Sequence, residues 1–401
     1  MDQTEHQQEP KHTGWKSLSD LLNKKHELFE NTLLMEGFEF SSNIYVIGGE
    51  YLTIVDPGND YTTYMELFTL DYEPAAIKKI VLTHGHHDHA MGIFELLRSY
   101  PSVLQNGGLE LILHEAAPPQ LKETPKEMGC QVTELRGGET LELSGFEWEV
   151  IYTPGHTIDG ICLYHAPTKT AFTGDMVMPH AMAEADEHAG GSLDHYLFAL
   201  RALLKRDIEN ILPGHGGPVA VDARKVIEET YEGVIMKVLE IEAEAKVSWF
   251  QGASQLAQRG LLEEGVFCCE KELARNPEDS KTLELKALCL NDLGRCEEAI
   301  EILDKILAEQ SDNTFALVGK GYGLLGMERY DEALIYLDDA LKINPDIKEA
   351  KMYKGMALHF SGRHQEAMDI EDFQTEFVER FKQEMEKKEQ PPIQSGDHES
   401  S

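Results

Sequence analysis

The feature that most limits what this chain can fold into is the segment THGHHDHAMG, residues 83–92, which places four histidines and one aspartate within six positions. Packing alone rarely explains such crowding, because every buried imidazole needs its own hydrogen-bond partner or is desolvated at a cost. The segment follows an apolar run, residues 77–82, that is typical of a buried strand. Neutral imidazole is a common ligand of borderline-soft divalent cations, so the sequence predicts a metal site at the end of this strand.

Three further potential ligands stand in similar local settings. His156 lies in TPGHT, Asp175 in FTGDM and His215 in LPGHGGP, each in a glycine-containing turn directly after a β-rich run. Together with the histidine-rich segment they give seven potential ligands, all at junctions between a strand and a turn. Seven ligands are enough for two metal ions.

Residues 15 to about 240 alternate short β-rich runs with turns and helices, which predicts a layered α/β protein. The run SLDHYLFALRALLKR, residues 192–206, has its leucines on one helical face, and Ser192 is a candidate N-cap. We expect disordered tails at residues 1–14 and 382–401, an α/β domain that carries the potential metal ligands over residues 15–245 and a repeat domain over residues 246–381.

After residue 245 the strand patterns end and a 34-residue period begins. Small residues recur where helices must approach closely, and a proline or serine ends each unit, as in stacked helical hairpins. This pattern resembles the tetratricopeptide repeat (TPR), an all-α superhelix, with Trp249 at the aromatic position of its first helix. Two series of small residues carry the period: Gly265, Ala299, Ala333 and Ala367, and Ala253, Ala287, Gly321 and Gly355. Four units are expected, near residues 246–279, 280–313, 314–347 and 348–381, the last with a doubtful second helix.

Charge and composition narrow the classes of partner. The 72 acidic and 36 basic residues give a formal charge of −36, which repels polyanions and argues against nucleic acid. The six cysteines form no CxxC pair, which is typical of reduced thiols in packed positions. No apolar run of about 18 residues or more is present, so we expect no membrane span and a cytoplasmic protein.

Five motifs occur in a fixed order: VDPG with Asp56, THGHHDH, TPGHT, TGD and PGHG. Through them the chain resembles the metallo-β-lactamase superfamily of metallohydrolases over roughly residues 30–220. The resemblance implies a four-layer αββα sandwich with two metal ions at one edge of the packed sheets. It also implies two ligand sets and one bridging carboxylate: His84, His86 and His156; Asp88, His89 and His215; and Asp175 between them. Asp56 would orient a ligand by hydrogen bonding, and Asp88 and Asp56 are the candidate catalytic residues. His87, at a variable position of the motif, is expected to bind no metal.

The resemblance implies metal-assisted hydrolysis. Two cations about 3.5–4 Å apart that share a water lower its pKa toward about 7 and produce a bridging hydroxide at neutral pH. That hydroxide would attack the acyl carbon of a small thioester, ester or lactone, as in the glyoxalase II-like (hydroxyacylglutathione hydrolase) and lactonase branches. Zinc is the expected metal, and iron and manganese also suit mixed histidine and aspartate ligands.

Alternatives stay open at this point. The chain could be a phosphodiesterase or ribonuclease of the same superfamily, or a TPR scaffold whose metal domain is vestigial. Residues 222–250 are mostly acidic, which puts recognition of glutathione in doubt. The segment after Asp175, with His180 and His188, and the helix carrying His195 are expected to shape the substrate pocket, the three histidines serving as loop residues. The repeats are expected to bind a protein or peptide, or to form a homo-oligomer.

Overall fold

A computed structural model describes residues 14–379 apart from residues 39, 61, 106 and 242–247. The expected tail over residues 382–401 lies outside the described residues, as do residues 1–13 of the expected N-terminal tail. The chain divides into two compact units, residues 1–243 and 244–401. The expected boundary between residues 245 and 246 falls within 242–247, so it remains a prediction.

The first unit contains a seven-stranded sheet whose spatial order follows the chain order. The first four strands pair antiparallel and the last four pair parallel. In chain order the strands are β1 (Lys16–Ser17), β2 (Thr32–Met35), β3 (Ile44–Ile47), β4 (Leu52–Val55), β5 (Ile77–Val81), β6 (Glu110–His114) and β7 (Gln131–Leu135).

A five-stranded sheet follows in the chain. Its strands are β8 (Thr140–Leu143), β9 (Phe146–Tyr152), β10 (Ile161–His165), β11 (Thr170–Gly174) and β12 (Asn210–Pro213). Their spatial order is β12-β11-β10-β9-β8, with β11 and β12 parallel and the other neighbours antiparallel. Consequently β9, β11 and β12 all point the same way, and their carboxyl ends lie at one edge of the sheet.

Eight helices of the first unit accompany the two sheets in the described chain. They are α1 (Leu18–Leu22), α2 (Glu27–Glu30), α3 (Thr62–Phe68), α4 (His87–Ala90), α5 (Gly92–Ser99), α6 (Pro119–Glu127), α7 (Leu193–Leu204) and α8 (Ala223–Val238). Ser192 caps α7, since its hydroxyl oxygen accepts a hydrogen bond from the His195 backbone nitrogen at 3.2 Å. The helix and the cap predicted for residues 192–206 are therefore confirmed.

Alternating side chains of the first sheet enter two different cores. Val46 and Ile54 pack with the helices that cover the sheet, in a cluster that includes Ile93 of α5. Their chain neighbours Tyr45 and Val55 face the other way, into a cluster shared with the second sheet. Successive side chains of a strand point to opposite faces, so one short apolar strand serves both cores.

The core between the sheets is aromatic at its centre. Trp148 of β9 is fully buried there, with ring centroids 4.9 Å from Phe172 of β11, and Phe172 lies 5.0 Å from Tyr45. On the second sheet, α7 buries Tyr196, Leu197 and Leu200, among others, and contacts both β9 and α8. The predicted α/β sandwich of two sheets between helical layers is confirmed.

The second unit is helical throughout its described length. Its helices are α9 (Trp249–Gln258), α10 (Leu262–Leu273), α11 (Ser280–Asp292), α12 (Cys296–Glu309), α13 (Thr314–Gly326), α14 (Tyr330–Ile343), α15 (Lys348–Phe360) and α16 (His364–Met368). Residues 371–379 are also helical. These helices form consecutive hairpins, as the period predicts, and α16 is the short second helix of the last hairpin.

The small residues of the 34-residue period lie at helix contacts. Ala253, Ala287 and Ala299 are fully buried. A Cβ built on Gly321 would lie 2.6 Å from Cγ of Leu337, and one built on Gly355 would lie 2.3 Å from Cγ of Phe373. Larger side chains at these positions would force the helices apart, which is the physical reason for the period.

No helix in the described part of the chain is long and apolar enough to cross a membrane.

Candidate metal centre

The two sheets bring their polar strand ends together at one edge. Asp56 follows β4, His84 follows β5, His156 follows β9, Asp175 follows β11 and His215 follows β12. Asp56 and Asp175 come directly after their strands, and the three histidines stand two to four residues beyond theirs. Because these strands point the same way within each sheet, side chains far apart in the sequence meet at that edge.

Three imidazoles form the first group. The Nδ1 atom of His86 lies 3.1 Å from Nε2 of His84 and 3.0 Å from Nε2 of His156. The three nitrogens lie within 4.8 Å of one another, a spacing that suits one shared metal ion. They point toward a common centre rather than toward solvent or backbone.

The second group combines a carboxylate with two imidazoles. Oδ2 of Asp88 lies 3.0 Å from Nε2 of His215 and 3.8 Å from Nε2 of His89. The one-turn helix α4 presents both Asp88 and His89, which is why residues adjacent in the sequence reach the same centre. These three ligand atoms also lie within 4.8 Å of one another.

Asp175 lies between the two groups. Its Oδ1 atom is 3.3 Å from Nε2 of His89, and its Oδ2 atom is 3.6 Å from Nε2 of His215 and 3.8 Å from Nε2 of His156. The carboxylate therefore faces a histidine of the first group and both histidines of the second, as a bridging ligand would.

Gly214 makes this approach possible. A Cβ at this position would lie 2.2 Å from Oδ1 of Asp175 and 2.6 Å from Cε1 of His89. Only a residue without a side chain fits beside these two groups. Steric constraint therefore explains the first glycine of the PGHG motif.

Hydrogen bonds outside the centre fix which nitrogen of His89 and His84 carries the proton. Asp56 accepts from Nδ1 of His89 at 2.8 Å, and the Thr83 hydroxyl donates to Oδ2 of Asp56 at 2.7 Å. Having given its proton to Asp56, the Thr83 oxygen can accept from Nδ1 of His84, 3.2 Å away. In the neutral rings, the inward Nε2 atoms of both histidines then carry lone pairs.

The other two histidines of the first group, His156 and His86, also have an outer oxygen partner. Nδ1 of His156 donates to the carbonyl oxygen of Glu184 at 2.6 Å, and Nε2 of His86 donates to Oδ2 of Asp186 at 3.1 Å. The remaining nitrogen of each ring, Nε2 of His156 and Nδ1 of His86, faces the centre with a lone pair. An outer oxygen partner of this kind is a regular feature of metal-binding histidines.

Lone pairs that face one another at about 3 Å repel unless a cation lies between them. Two buried atoms of the centre, Nε2 of His89 and Oδ1 of Asp175, have no hydrogen-bond partner among the described residues. Buried polar atoms without partners are rare in folded proteins, and here they are arranged as ligands of a cation would be. The residues present therefore fit divalent cations.

Burial lowers the pKa of His89, but the charges of neighbouring carboxylates outweigh it and raise that pKa well above its usual value, and the hydrogen bond with Asp88 raises the pKa of His215. A bound cation would take the place of these protons. Two other shifts favour the metal-binding form directly. Burial, together with the charges of neighbouring histidines, lowers the pKa of His84 well below its usual value, so the ring stays neutral and able to coordinate. Burial raises the pKa of Asp88, but the hydrogen bond with His215 and the charges of His89 and His215 outweigh it and bring the pKa to about 2. A neutral imidazole and an ionised carboxylate are the forms that bind metals.

Other histidines of the first unit lie apart from the two groups. His87, His180, His188 and His195 are exposed, and none of them is in a potential metal-binding group among the described residues. The expectation that His87 binds no metal stays a prediction, and its exposure supports it.

Sequence reasoning missed Thr83, Glu184 and Asp186. Thr83 belongs to the THGHHDH motif, and its position between Asp56 and His84 could have been suspected from that adjacency. Glu184 acts through its backbone carbonyl, and Asp186 contacts a residue 100 positions away, so no sequence pattern indicates either.

Comparison with known proteins agrees with this geometry. Residues 37–215 match the model of the metallo-beta-lactamase superfamily, and this stretch contains all seven side chains of the centre. The first unit carries a metallo-β-lactamase domain. Residues 318–372 match a tetratricopeptide repeat model, and residues 258–340 match the model of anaphase-promoting complex, cyclosome, subunit 3. TPR repeats thus follow the metallo-β-lactamase domain, as the sequence predicts.

Similar proteins cover the same region. A lactamase-like protein of Pestalotiopsis microspora is 24% identical over 54% of this chain and 62% of its own length. An atrochrysone carboxyl ACP thioesterase of Aspergillus aculeatus is 25% identical over 44% of this chain and 51% of its own length. The chain thus spans about half to three fifths of these curated relatives. A metallo-beta-lactamase family protein of Thermus thermophilus has 21% identity and a TM-score of 0.41, covering 56% of this chain and 87% of that structure.

Proposed function

We propose that the metallo-β-lactamase domain is a hydrolase that uses two divalent cations, zinc in the first place, to cleave a small thioester, ester or lactone. His84, His86 and His156 would hold the first cation. Asp88, His89 and His215 would hold the second, with Asp175 contacting both. The observation that carries the proposal is the position of Asp175 between two groups of inward-facing ligand atoms.

Bound cations would supply Lewis acidity that polarises an acyl oxygen and lowers the pKa of water toward about 7. The protein's own groups keep the ligands in place. Asp56 accepts hydrogen bonds from Nδ1 of His89 and from the Thr83 hydroxyl. The Thr83 oxygen in turn contacts Nδ1 of His84, so one buried carboxylate orients both histidines. Asp88, with a pKa of about 2, remains ionised across the neutral range, so it would hold the cation as a carboxylate and could accept a hydrogen bond from a nearby water. These are the roles in which Asp56 and Asp88 would serve catalysis.

The names of similar proteins favour thioesters within this substrate class. Relatives that match 44% of this chain are named as thioesterases, among them the atrochrysone carboxyl ACP thioesterase of A. aculeatus and a thioesterase of Emericella nidulans. Thioester carbonyls are readily attacked by an oxygen nucleophile and need no serine or cysteine of the protein. Cys162 is fully buried in the core, and burial raises the pKa of its thiol to about 12, which leaves it unsuited to nucleophilic attack.

The TPR unit would bind a protein or peptide. A groove of about 420 Å³ runs along α11, α13 and α15, where the stacked rings of Tyr322 and Tyr353 lie 4.6 Å apart. Leu288 and Phe315 line it and are 41% and 40% exposed. Large apolar side chains left open to solvent in a helical groove favour an extended or helical peptide as the ligand.

Metal content and activity test the hydrolase proposal together. Elemental analysis of the purified protein is expected to give two divalent metal ions per chain, and a panel of thioesters, lactones, β-lactams and phosphodiesters should show hydrolysis of a thioester or lactone. His89→Ala should lose one metal equivalent and reduce turnover by at least about 100-fold. The matched control is His87→Ala, an exposed position of the same motif. Turnover confined to phosphodiesters, or a metal-free protein that remains active, would contradict the proposal.

A further inference from the structure

A cleft of about 780 Å³ is lined by residues that closely follow two side chains of the metal centre in the chain. Gly216, the residue after His215, lines one side, and Met178, three residues after Asp175, lines another. Helix α8 contributes Val226, Thr230 and Gly233 from a single face. A volume of this size is typical of small-molecule sites. Two strand-end loops that supply metal-centre residues thus continue directly into the walls of the cleft.

The walls of the cleft are mainly apolar. Met178, Pro179 and Met182 come from the segment after Asp175, Val221 precedes α8, and Val226 lies in its first turns. Val221 is 75% exposed, a large fraction for a branched aliphatic side chain. An apolar ligand that covered these side chains would remove them from water, which favours binding in proportion to the area buried.

The cleft has little positive charge. Of its described lining side chains, Glu229 and His180 can be charged, and no lysine or arginine lines it in that part of the chain. Lys225 lies 3.7 Å from Glu229, but both side chains are about two thirds exposed, so the pair is screened by solvent. A ligand that brought a carboxylate into this cleft would meet no fixed cation and would face Glu229.

Gly233 lines the cleft without a side chain of its own. It lies inside α8, where a glycine is less favourable than alanine by about 1 kcal/mol. The Sδ atom of Met182 lies 3.3 Å from the position that a Cβ of residue 233 would take. The missing side chain therefore lets Met182, in the segment after Asp175, pack close to the helix, and a larger side chain at position 233 would press against it.

We propose that this cleft binds the acyl group of the substrate, and that this group is an uncharged, apolar chain longer than acetyl. The inference rests on the proposed hydrolase function and names its substrate class. It places the specificity-determining residues on the segment after Asp175, on residues 216–221 and on α8. Helix α7, expected from the sequence to shape the pocket, contributes no lining residue to this cleft among the described residues.

The test compares acyl thioesters of N-acetylcysteamine, an uncharged thiol. With zinc-loaded protein, kcat/KM is expected to be about 10- to 100-fold higher for hexanoyl than for acetyl, because four methylene groups are transferred to an apolar site. Adipoyl, which has the same length but ends in a carboxylate, should fall at least tenfold below hexanoyl. Equal values for acetyl and hexanoyl, or a preference for adipoyl, would overturn the proposal without any variant.

A variant pair localises the effect. Gly233→Leu places a side chain in the cleft and should lower kcat/KM for hexanoyl at least tenfold more than for acetyl. Glu228→Leu adds the same side chain to the same helix at a position outside the cleft, where Glu228 accepts from Arg224, and should leave the hexanoyl-to-acetyl ratio unchanged. An unchanged ratio in Gly233→Leu would overturn the proposal.

Binding to metal-free protein separates this inference from the proposed function. Octanamide, followed by calorimetric titration, should bind wild-type protein and Glu228→Leu, and bind at least tenfold more weakly to Gly233→Leu. If no thioester is cleaved but octanamide binds in this pattern, the hydrolase proposal fails and the apolar cleft stands. If thioesters are cleaved and octanamide binds all three proteins equally, the cleft assignment fails and the hydrolase stands.

Discussion

At the scale of single residues, the centre depends on oxygen atoms that hold the outer nitrogens of its histidines. Asp56, Glu184 and Asp186 each accept from one imidazole and leave the other nitrogen of that ring facing inward. Asp186 has a second link to the centre, since its backbone nitrogen donates to the carbonyl oxygen of His156 at 2.8 Å. One residue of the segment after Asp175 therefore restrains two histidines of the first group.

Replacement of Asp186 tests its role as a positioning residue. Asp186→Asn keeps a side-chain oxygen for the backbone nitrogens of His188 and Ala189 but removes the charge next to His86. We expect zinc affinity, measured by competition with a chelator, to fall about 10-fold in Asp186→Asn and about 100-fold in Asp186→Ala. Glu187→Ala, an exposed neighbour, is the control. Unchanged affinity in both Asp186 variants would show that His86 is oriented without this carboxylate.

Gly214 gives a second prediction at the same scale. Gly214→Ala should lose most of the bound metal, because the added methyl group would lie 2.2 Å from Oδ1 of Asp175. Gly217→Ala, three residues further, adds the same methyl group where no atom lies within 4 Å, and should keep two metal ions per chain. Elemental analysis of the two purified variants makes the comparison. Full metal content in Gly214→Ala would mean that the loop moves to accept the methyl group.

At the scale of elements, most strands and helices follow from local patterns, and the exceptions have a physical reason. The apolar runs that became β3, β4, β5, β6, β9, β10 and β11 are recognisable because buried strands are short and rich in branched residues. β7 and β8 cannot be recognised in this way, because each mixes exposed and buried residues and lies at the edge of its sheet. Their pairing depends on neighbours that the local sequence does not specify.

The end of β10 provides a pH-dependent prediction. Burial, and to a smaller extent the charge of His26, lowers the pKa of His165 to about 4, and its Nδ1 atom lies 2.7 Å from the Thr168 hydroxyl. In the unfolded chain this histidine has a pKa of about 6.5. The contribution of the neutral ring to the free energy of unfolding is therefore complete above that pH and is lost as the pH falls toward the folded-state pKa. Between pH 7 and pH 5 the loss should be about 1–2 kcal/mol.

Urea unfolding at the two pH values, followed by tryptophan fluorescence, measures that loss. In His165→Asn the side-chain amide nitrogen can replace Nδ1 as a donor to Thr168, whose own hydroxyl proton goes to Thr170, but the group no longer titrates. The variant should therefore show a smaller drop in the free energy of unfolding between pH 7 and pH 5 than the wild type. The same pH dependence in both proteins would assign it to other groups.

At the scale of the whole molecule, the two units differ in how they are built. The first depends on contacts between residues far apart in the sequence, whereas each hairpin of the second packs mainly on the next one along the chain. This difference explains why a 34-residue period predicts the TPR unit well. The arrangement of two sheets could be inferred only through a family resemblance, because strand order is not a local property.

Truncation tests whether the metallo-β-lactamase domain is independent. We predict that a chain ending at residue 245 folds, binds two metal ions and keeps hydrolysis of the same thioester within about threefold of the full chain. Circular dichroism establishes folding before activity is compared. A folded but inactive truncated chain would show that the TPR unit contributes to catalysis.

By itself, the sequence determined which side chains could coordinate metal and which helices repeat, because turn chemistry, hydrophobic period and ligand type are properties of short segments. The motifs therefore pointed to all seven side chains that make up the potential metal-binding groups of the described chain. Only the tertiary structure decided which oxygen atoms fix the imidazole tautomers, and that an apolar cleft is lined by residues that follow Asp175 and His215. These features join residues as far apart as His86 and Asp186, whose contact follows from how the segment after β11 folds back over the sheet edge.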